Sequence, residues 1–341
     1  SRIGDLPAGV TLRALSEMDA GEIDALEGRL GAAAPLKDHP FAALNTALFV
    51  DCAVLRVGAG TVLERPIHLL FVAGDHDANT TRLPRVLVEA GSGSQTTIVE
   101  TYAGPPPGGG LTCAVTEMSL GDGAVVDHYT LTEEGDETTH ISGFHAHQGR
   151  DSVLRAHAFT LSGAVVRHDI TTHLGGEGAD ATLNGLYLTH GRQHVDNQLR
   201  VRHARPNCTS HQLYKGVLDD SSKAIFNGRI VVDPGAQKTD AKQSNRNLLL
   251  SATAQAQSNP QLEIYADDVR CTHGSTVGRL DEEAVFYLRS RGINKASAES
   301  LLTFAFAAEI VDGVRISELR DRLQSALHAR LPESQLVREV S

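Results

Sequence analysis

The chain has no tryptophan, and only six tyrosines and nine phenylalanines among 341 residues. Carbohydrate sites are usually built on aromatic stacking platforms, so a carbohydrate-active enzyme would have few to use here. Cysteine is also scarce. Cys52, Cys113, Cys208 and Cys271 stand far apart and no C-x-x-C pair occurs. Neither a zinc ribbon nor a ferredoxin-type cluster site follows from that spacing, and a long chain with so few thiols reads as cytosolic and reduced. The longest apolar runs, such as Leu69-Leu70-Phe71-Val72-Ala73, are too short to span a bilayer, and no basic-then-apolar leader opens the sequence. There is no G-x-x-x-x-G-K-[ST] loop, G-x-S-x-G elbow or H-E-x-x-H helix. The chain is therefore expected neither to bind nucleotide nor to hydrolyse ATP on its own. Gly175-Gly176-Glu177-Gly178 precedes no helical pattern and reads as a turn. The formal net charge of −11 repels nucleic acid and acidic membrane surfaces.

What is present falls into segments. Residues 1–45 read as a helical region. Ser16 with Asp19 resembles a capping box, Ile23, Leu26, Leu30 and Ala33 recur at helical spacing, and Pro35 and Pro40 break the pattern. Residues 46–278 have the texture of short strands between turns. Candidates are 53–57, 67–72, 85–89, 112–120, 124–131, 152–161, 164–174, 181–188, 197–203, 210–217, 224–232 and 247–254. The 104–110 stretch is a proline- and glycine-rich loop. Leu188, Val201, Tyr214 and Phe226 recur every twelve or thirteen residues, with Gly, Asn and Asp between. Such spacing suits stacked coils of a β-helix, although a sandwich or barrel also gives many short strands.

Residues 279–332 are helical again. Asp281-Glu282-Glu283 opens one helix and Gly292 caps it, a second runs from about Lys295 to Gly313, and a third from Ser317 to about Leu331. Residues 333–341 read as a flexible tail.

Three constellations could carry chemistry. On a strand, Cys271 and His273 of Cys271-Thr272-His273-Gly274 would point to one side, where thiolate and imidazole suit a soft metal or an iron–sulfur precursor. Two ligands do not complete a cluster site, and a buried structural cysteine beside a hydrogen-bonded histidine fits the same spacing. Histidines crowd residues 128–173, including His140, His145, His147, His157, His168 and His173. They read either as a polar, solvent-facing strand surface or as a metal site assembled by stacking. Asp219-Asp220 and Asp267-Asp268 fall in turns, which favours solvated loop residues over paired catalytic acids.

Several runs together resemble the SufB/SufD family of iron–sulfur cluster assembly scaffolds. They are Gly185-Leu186-Tyr187-Leu188, Gln193-His194-Val195-Asp196-Asn197, Ser210-His211-Gln212-Leu213-Tyr214-Lys215-Gly216, Gly228-Arg229-Ile230 and Asn245-Arg246-Asn247-Leu248-Leu249-Leu250-Ser251. Leu262-Glu263-Ile264-Tyr265-Ala266-Asp267-Asp268-Val269 continues into Cys271-Thr272-His273-Gly274, Val277-Gly278-Arg279-Leu280-Asp281 and Phe286-Tyr287-Leu288-Arg289-Ser290-Arg291-Gly292-Ile293. The match is dense over 160–312 and weaker from about 40. Gly274, where SufB-like chains tend to be acidic, and the cysteine-free Ser244-Asn245-Arg246-Asn247 favour the SufD branch.

The resemblance implies a mainly β protein, a right-handed parallel β-helix between N- and C-terminal helical regions. It also implies a non-catalytic scaffold that pairs with SufB and docks the SufC ATPase on its C-terminal helices. A transient iron–sulfur cluster, or iron, would be shared with SufB at the interface, with His273 as ligand and Cys271 beside it. A homodimer in isolation and a β-helix carbohydrate-active enzyme are the alternatives.

Overall fold

The computed structural model describes residues 6–34, 36–37, 39–74, 80–106 and 108–331. The chain opens with β1 (Val10–Ala14), a 3₁₀ turn (Leu15–Glu17), α1 (Ala20–Asp24) and α2 (Pro40–Leu48). Next come β2 (Ala53–Val57), β3 (Ile67–Val72), β4 (Thr81–Arg82), β5 (Arg85–Ala90), β6 (Gln95–Ala103), β7 (Leu111–Leu120), β8 (Val125–Glu133) and β9 (Thr139–Gln148). The strands continue as β10 (Val153–Thr160), β11 (Val165–Leu174), β12 (Asp180–Thr189), β13 (His194–His203), β14 (Thr209–Leu218), β15 (Lys223–Val232), β16 (Asp240–Leu249), β17 (Gln255–Ile264) and β18 (Arg270–Gly278). Three helices follow, α3 (Glu282–Arg289), α4 (Lys295–Val311) and α5 (Ser317–Arg330). No helix among the described residues is long and apolar enough to cross a membrane.

From β5 onward, odd strands stack in one parallel sheet and even strands in the other, β3-β6-β8-β10-β12-β14-β16-β18. This alternation is a two-sheet β-solenoid, so the helix form is present and the sandwich and barrel are not. Along the first sheet, Leu111, Thr139, Val165, His194, Lys223 and Gln255 are successive register partners, roughly 30 residues apart. The twelve-to-thirteen spacing in the sequence thus approximates half a coil. It also slips: Leu188 pairs with Val217, while Tyr214 pairs with Gly185.

In seven successive coils, all but the final one, a corner turns through a left-handed residue: Gly60, Gly93, Gly123, Asp151, Gly178, Asn207 and Lys238 all have φ between 52 and 72°. Each of the first six sends its N–H to a carbonyl one coil on, from Gly60 to Ser92 through to Asn207 to Gln237. Glycine, aspartate and asparagine adopt that geometry at little cost; Lys238 is held there by its neighbours.

The interior carries a continuous apolar cluster along its length. Leu154, Val126, Ala181, Val166, Val201 and Ile230 are fully buried in one continuous cluster between the sheets. At about 25 cal/mol per Å² of apolar surface, burying one such leucine contributes roughly 2 kcal/mol. The outer face of the even sheet is covered by α4 and α5, where Ile310, Val311, Leu319, Leu323 and Leu327 pack on Tyr129, Leu131, Phe159, Leu186 and Val217. Polar clamps add to this contact. Glu309 meets Lys215 and Arg246, Arg322 meets Glu133, Arg315 meets Asp127, and the Arg330 guanidinium donates to the carbonyls of Leu161 and Leu188.

The N-terminal region differs from its sequence reading in three ways. The capping box is Asp19 with Glu22, one turn beyond Ser16, and the helix stops at Asp24, after which the chain runs through turns that include Gly28 and Gly31 at positive φ. Pro40 begins α2 rather than breaking a helix, since at N1 its missing N–H costs nothing. The region also supplies a strand, β1, antiparallel to β2. The glycine- and proline-rich loop at 104–110 is turn and coil where it is described. Pro35 and the tail at 332–341 lie outside the described residues.

Candidate functional site

Strand β18 is the last strand of the even sheet and β17 the last of the odd one. Their neighbours β16 and β15 are closed on both sides, so the final coil is where the solenoid opens. Cys271, His273 and Ser275 pair in register with Ala241, Gln243 and Asn245 of β16. Those three are buried at 0%, 3% and 0% exposure and face the interior. Their partners on β18 lie in the same inward-facing row, yet Cys271 is only half-buried, and His273 and Ser275 are exposed. The expected geometry therefore holds: Cys271 and His273 share a side, and that side is the solenoid's open mouth.

The site is incomplete as a metal centre. Burial, reinforced by the charge of Asp240, pushes the Cys271 thiol above its ordinary range, so it is a poor thiolate at neutral pH. His273 makes no side-chain hydrogen bond among the described residues. No group of three or more histidine, cysteine or acidic side chains capable of holding a metal occurs among them either. The other cysteines are buried and inert: burial pushes Cys52 up to about 12 and Cys113 up to about 11, and raises Cys208.

The histidine-rich segment is not a solvent-facing surface, which corrects the first of its two sequence readings. His128, His140 and His168 project into the solenoid, because β8, β9 and β11 alternate inward and outward. Glu100 accepts from Tyr102 and Thr116 and lies 2.9 Å from His128 Nε2. Glu134 accepts from Thr112 and lies 2.7 Å from His140 Nδ1. His168 sits between the hydroxyls of Ser142 and Thr160. Burial pushes the Glu100 carboxyl up, but the adjoining His128 and the hydrogen bonds more than offset this and hold it below the usual carboxylate range. The same balance, set by His140, Thr112 and Arg82, lowers Glu134. A cavity of about 30 Å³ lies among Glu100, His128, Ser142 and His168, room for one or two waters. Outside, His147 and His173 are neighbouring rungs with ring centroids 4.8 Å apart. Sequence reasoning missed this interior network because β9 was not recognised as a strand, and without it the alternation cannot be extended to the histidines.

Asp219 and Asp220 are turn residues. The Asp219 carboxylate accepts from the Asp220 N–H, and Asp220 accepts from the Gly191 N–H. Beside the mouth, α3 and α4 and the last coils enclose a cleft of about 560 Å³. Phe286 and Tyr287 of α3 are exposed, at 71% and 56%.

Residues 71–306 match the model of the SUF system FeS cluster assembly SufBD core domain, and residues 1–69 match the SufBD protein N-terminal region. The chain is 33% identical over 338 residues to an iron–sulfur cluster assembly SufBD family protein of Synechocystis, covering 97% of this chain and 74% of that one. It is 33% identical to the iron–sulfur cluster assembly protein SufD of Escherichia coli, over 94% of this chain and 77% of the relative. With SufD of Bacillus subtilis the identity is 31%, over 86% and 67%. An open-ended solenoid with a helical flank, matched nearly end to end by these two family regions, belongs to the SufBD family of iron–sulfur cluster assembly proteins.

Proposed function

We propose that this chain is a SufD-like, non-catalytic scaffold subunit that completes a cluster-assembly site with SufB, while a SufC ATPase docks on the C-terminal helices, about 281–331. The reading places the complex in the cytoplasm, free of membrane and nucleic acid. The observation that carries it is the unfinished final coil. An uncovered sheet end with unpaired backbone groups is a template for another strand, and natural solenoids normally cap it. Among the described residues no strand pairs with the outer edges of β17 and β18, and the inner row at the opening is Cys271, His273 and Ser275.

A second solenoid meeting this mouth would bring its own donors against His273 and Cys271. Exclusion of water at such a junction would favour soft ligation, and His273, as a neutral imidazole, suits iron. The cluster is cargo: it forms at the junction and leaves. The thiolates and carboxylates that this chain lacks would come from the SufB side. The exposed Phe286 and Tyr287 and the neighbouring cleft are the corresponding docking features of the helical flank.

The test is reconstitution from purified SufB, SufC and this chain, followed by mass measurement and cluster loading. A ternary complex is expected, with His273→Ala assembling normally but failing to load cluster. Because α4 and α5 cover a buried face of the even sheet, the helical flank is tested on its exposed side chains: Phe286→Ala with Tyr287→Ala should weaken SufC co-purification and spare the SufB contact. Normal loading by His273→Ala would sink the ligand role. A chain that only self-associates, since the same edge can pair with a second copy, would sink the heteromeric reading. Hydrolytic or lyase activity of the isolated chain on polysaccharides would favour the enzyme alternative.

A further inference from the structure

The inward row that ends at His273 runs through Leu183 on β12, Gln212 on β14 and Gln243 on β16, each the register partner of the next. Two amides are thus stacked beneath the histidine inside the solenoid. Gln243 Nε2 donates to Gln212 Oε1 at 2.7 Å. The opposite sheet is shaped to admit this amide: a Cβ on Gly228 would lie 2.3 Å from Gln243 Nε2. One N–H of Gln243 is committed to Gln212, and the outer atoms of this amide pair, Gln243 Oε1 and Gln212 Nε2, are buried with no hydrogen-bond partner among the described residues. A buried acceptor left without a donor costs about 1–3 kcal/mol, so it marks a place where a donor belongs. The next side chain in the row is His273, exposed, a donor, and without a hydrogen bond of its own. Rungs of a sheet are about 4.8 Å apart, so turning the ring inward about its side-chain torsions brings a ring N–H within reach of the amide oxygen. Gln243 already reaches Gln212 across an equal step.

We propose that Gln243 is a positioning residue for His273. Its Oε1 accepts a hydrogen bond from one ring nitrogen of His273, fixing the tautomer and leaving the other nitrogen unprotonated as a metal ligand. Metal-ligating histidines characteristically donate their second N–H to a carbonyl or carboxylate, and loss of that partner weakens binding 10–100-fold. The ligand part rests on the reading of His273 given above; the hydrogen bond does not.

The experiment uses the full chain with ¹⁵N-labelled histidine at pH 8, the His273 signals being assigned by their loss in His273→Ala. One tautomer gives two well-separated ring nitrogen resonances. Gln243→Leu should move them toward an averaged pair, and Gln243→Glu, which keeps an acceptor, should hold them apart. Averaged resonances in the unsubstituted chain would overturn the proposal, as would resonances unchanged by Gln243→Leu. If the leucine variant does not fold, averaged resonances in Gln243→Glu, whose carboxylate keeps the acceptor, overturn it equally well. In the reconstituted complex, Gln243→Leu should weaken cluster loading 10–100-fold. A Gln243-dependent tautomer together with normal loading by His273→Ala would keep the hydrogen bond and discard the ligand assignment.

Discussion

Both halves of the solenoid interior contain polar groups, but of different kinds. Between β6 and β11 they are ionisable and enclosed, with Glu100 beside His128, Glu134 beside His140, and His168 between two hydroxyls. Between β12 and β18 they are chiefly neutral amides, Gln212 and Gln243, then Asn245 and Asn247 with the Tyr187 hydroxyl, and the ionisable His203 lies farther from the opening, against the Ser210 hydroxyl. The first half is sealed by coils on both sides and can hold a charge only because each charge is answered. The second leads to an opening, and its amides donate and accept without change of protonation. A scaffold that presents a histidine at that opening gains from neutral groups behind it, because a buried carboxylate there would bias the ring toward its protonated, non-ligating form.

The largest expected effect comes from breaking the sealed half. Glu100→Ala strands His128, Tyr102 and Thr116 without their shared acceptor, and should lower unfolding stability by about 3–5 kcal/mol in denaturant titrations. A loss below about 1 kcal/mol would mean the enclosed network is not a structural unit. Next is a matched pair of cavity mutations. Leu154→Ala in the closed body should cost about 2–5 kcal/mol, and Leu262→Ala in the half-covered terminal coil less than half as much. Equal costs would show that the last coil is not loosely covered in solution.

The smallest effect is a pH dependence. Burial, with the charges of His39 and Arg85 adding to it, pushes His145 down to about 3. The folded form therefore binds fewer protons than the unfolded chain between about pH 6.5 and 3, so stability is complete above 6.5 and declines as pH falls through that window. Burial also pushes His157 and His203 to about 4 and His168 to about 3, all in the same direction. Both His145 ring nitrogens lack hydrogen-bond partners among the described residues. His145→Leu should therefore leave neutral stability nearly unchanged and flatten the acid limb of a thermal-melting profile. An acid limb identical to that of the unsubstituted chain would assign the sensitivity to the other histidines.

Legibility in the sequence followed burial. The three C-terminal helices could be placed to within about a residue or two, because Asp281, Asn294 and Gly292 give unambiguous end signals and the apolar faces are regular. Strands of the closed body were legible where valine and leucine alternate. Strand β9 was lost because its inward positions include His140 and Ser142, and β17 because Gln255-Ala256-Gln257-Ser258-Asn259-Pro260 shows no apolar face. An edge strand has no inner neighbour to demand one, and it tolerates Pro260 for the same reason. The candidate 247–254 straddled the end of β16 and the turn beyond it. The left-handed corner column recurs at almost constant spacing, but as Gly, Asp, Asn and Lys in different coils, so identity hides what geometry repeats. Cys271 and His273 were visible as a pair; the amides beneath them were not, because Gln212 and Gln243 become neighbours only through the register of β14 with β16.

The clamps of α4 and α5 have a mechanical consequence. Asp127, Leu161, Leu188, Lys215 and Arg246 belong to successive coils, and all are gripped by one helical pair. A displacement of those helices would therefore be felt by several successive coils together rather than by one. The last grip is Arg246 on β16, one rung short of His273. The row that opens to the outside thus lies one rung beyond the last coil those clamps hold.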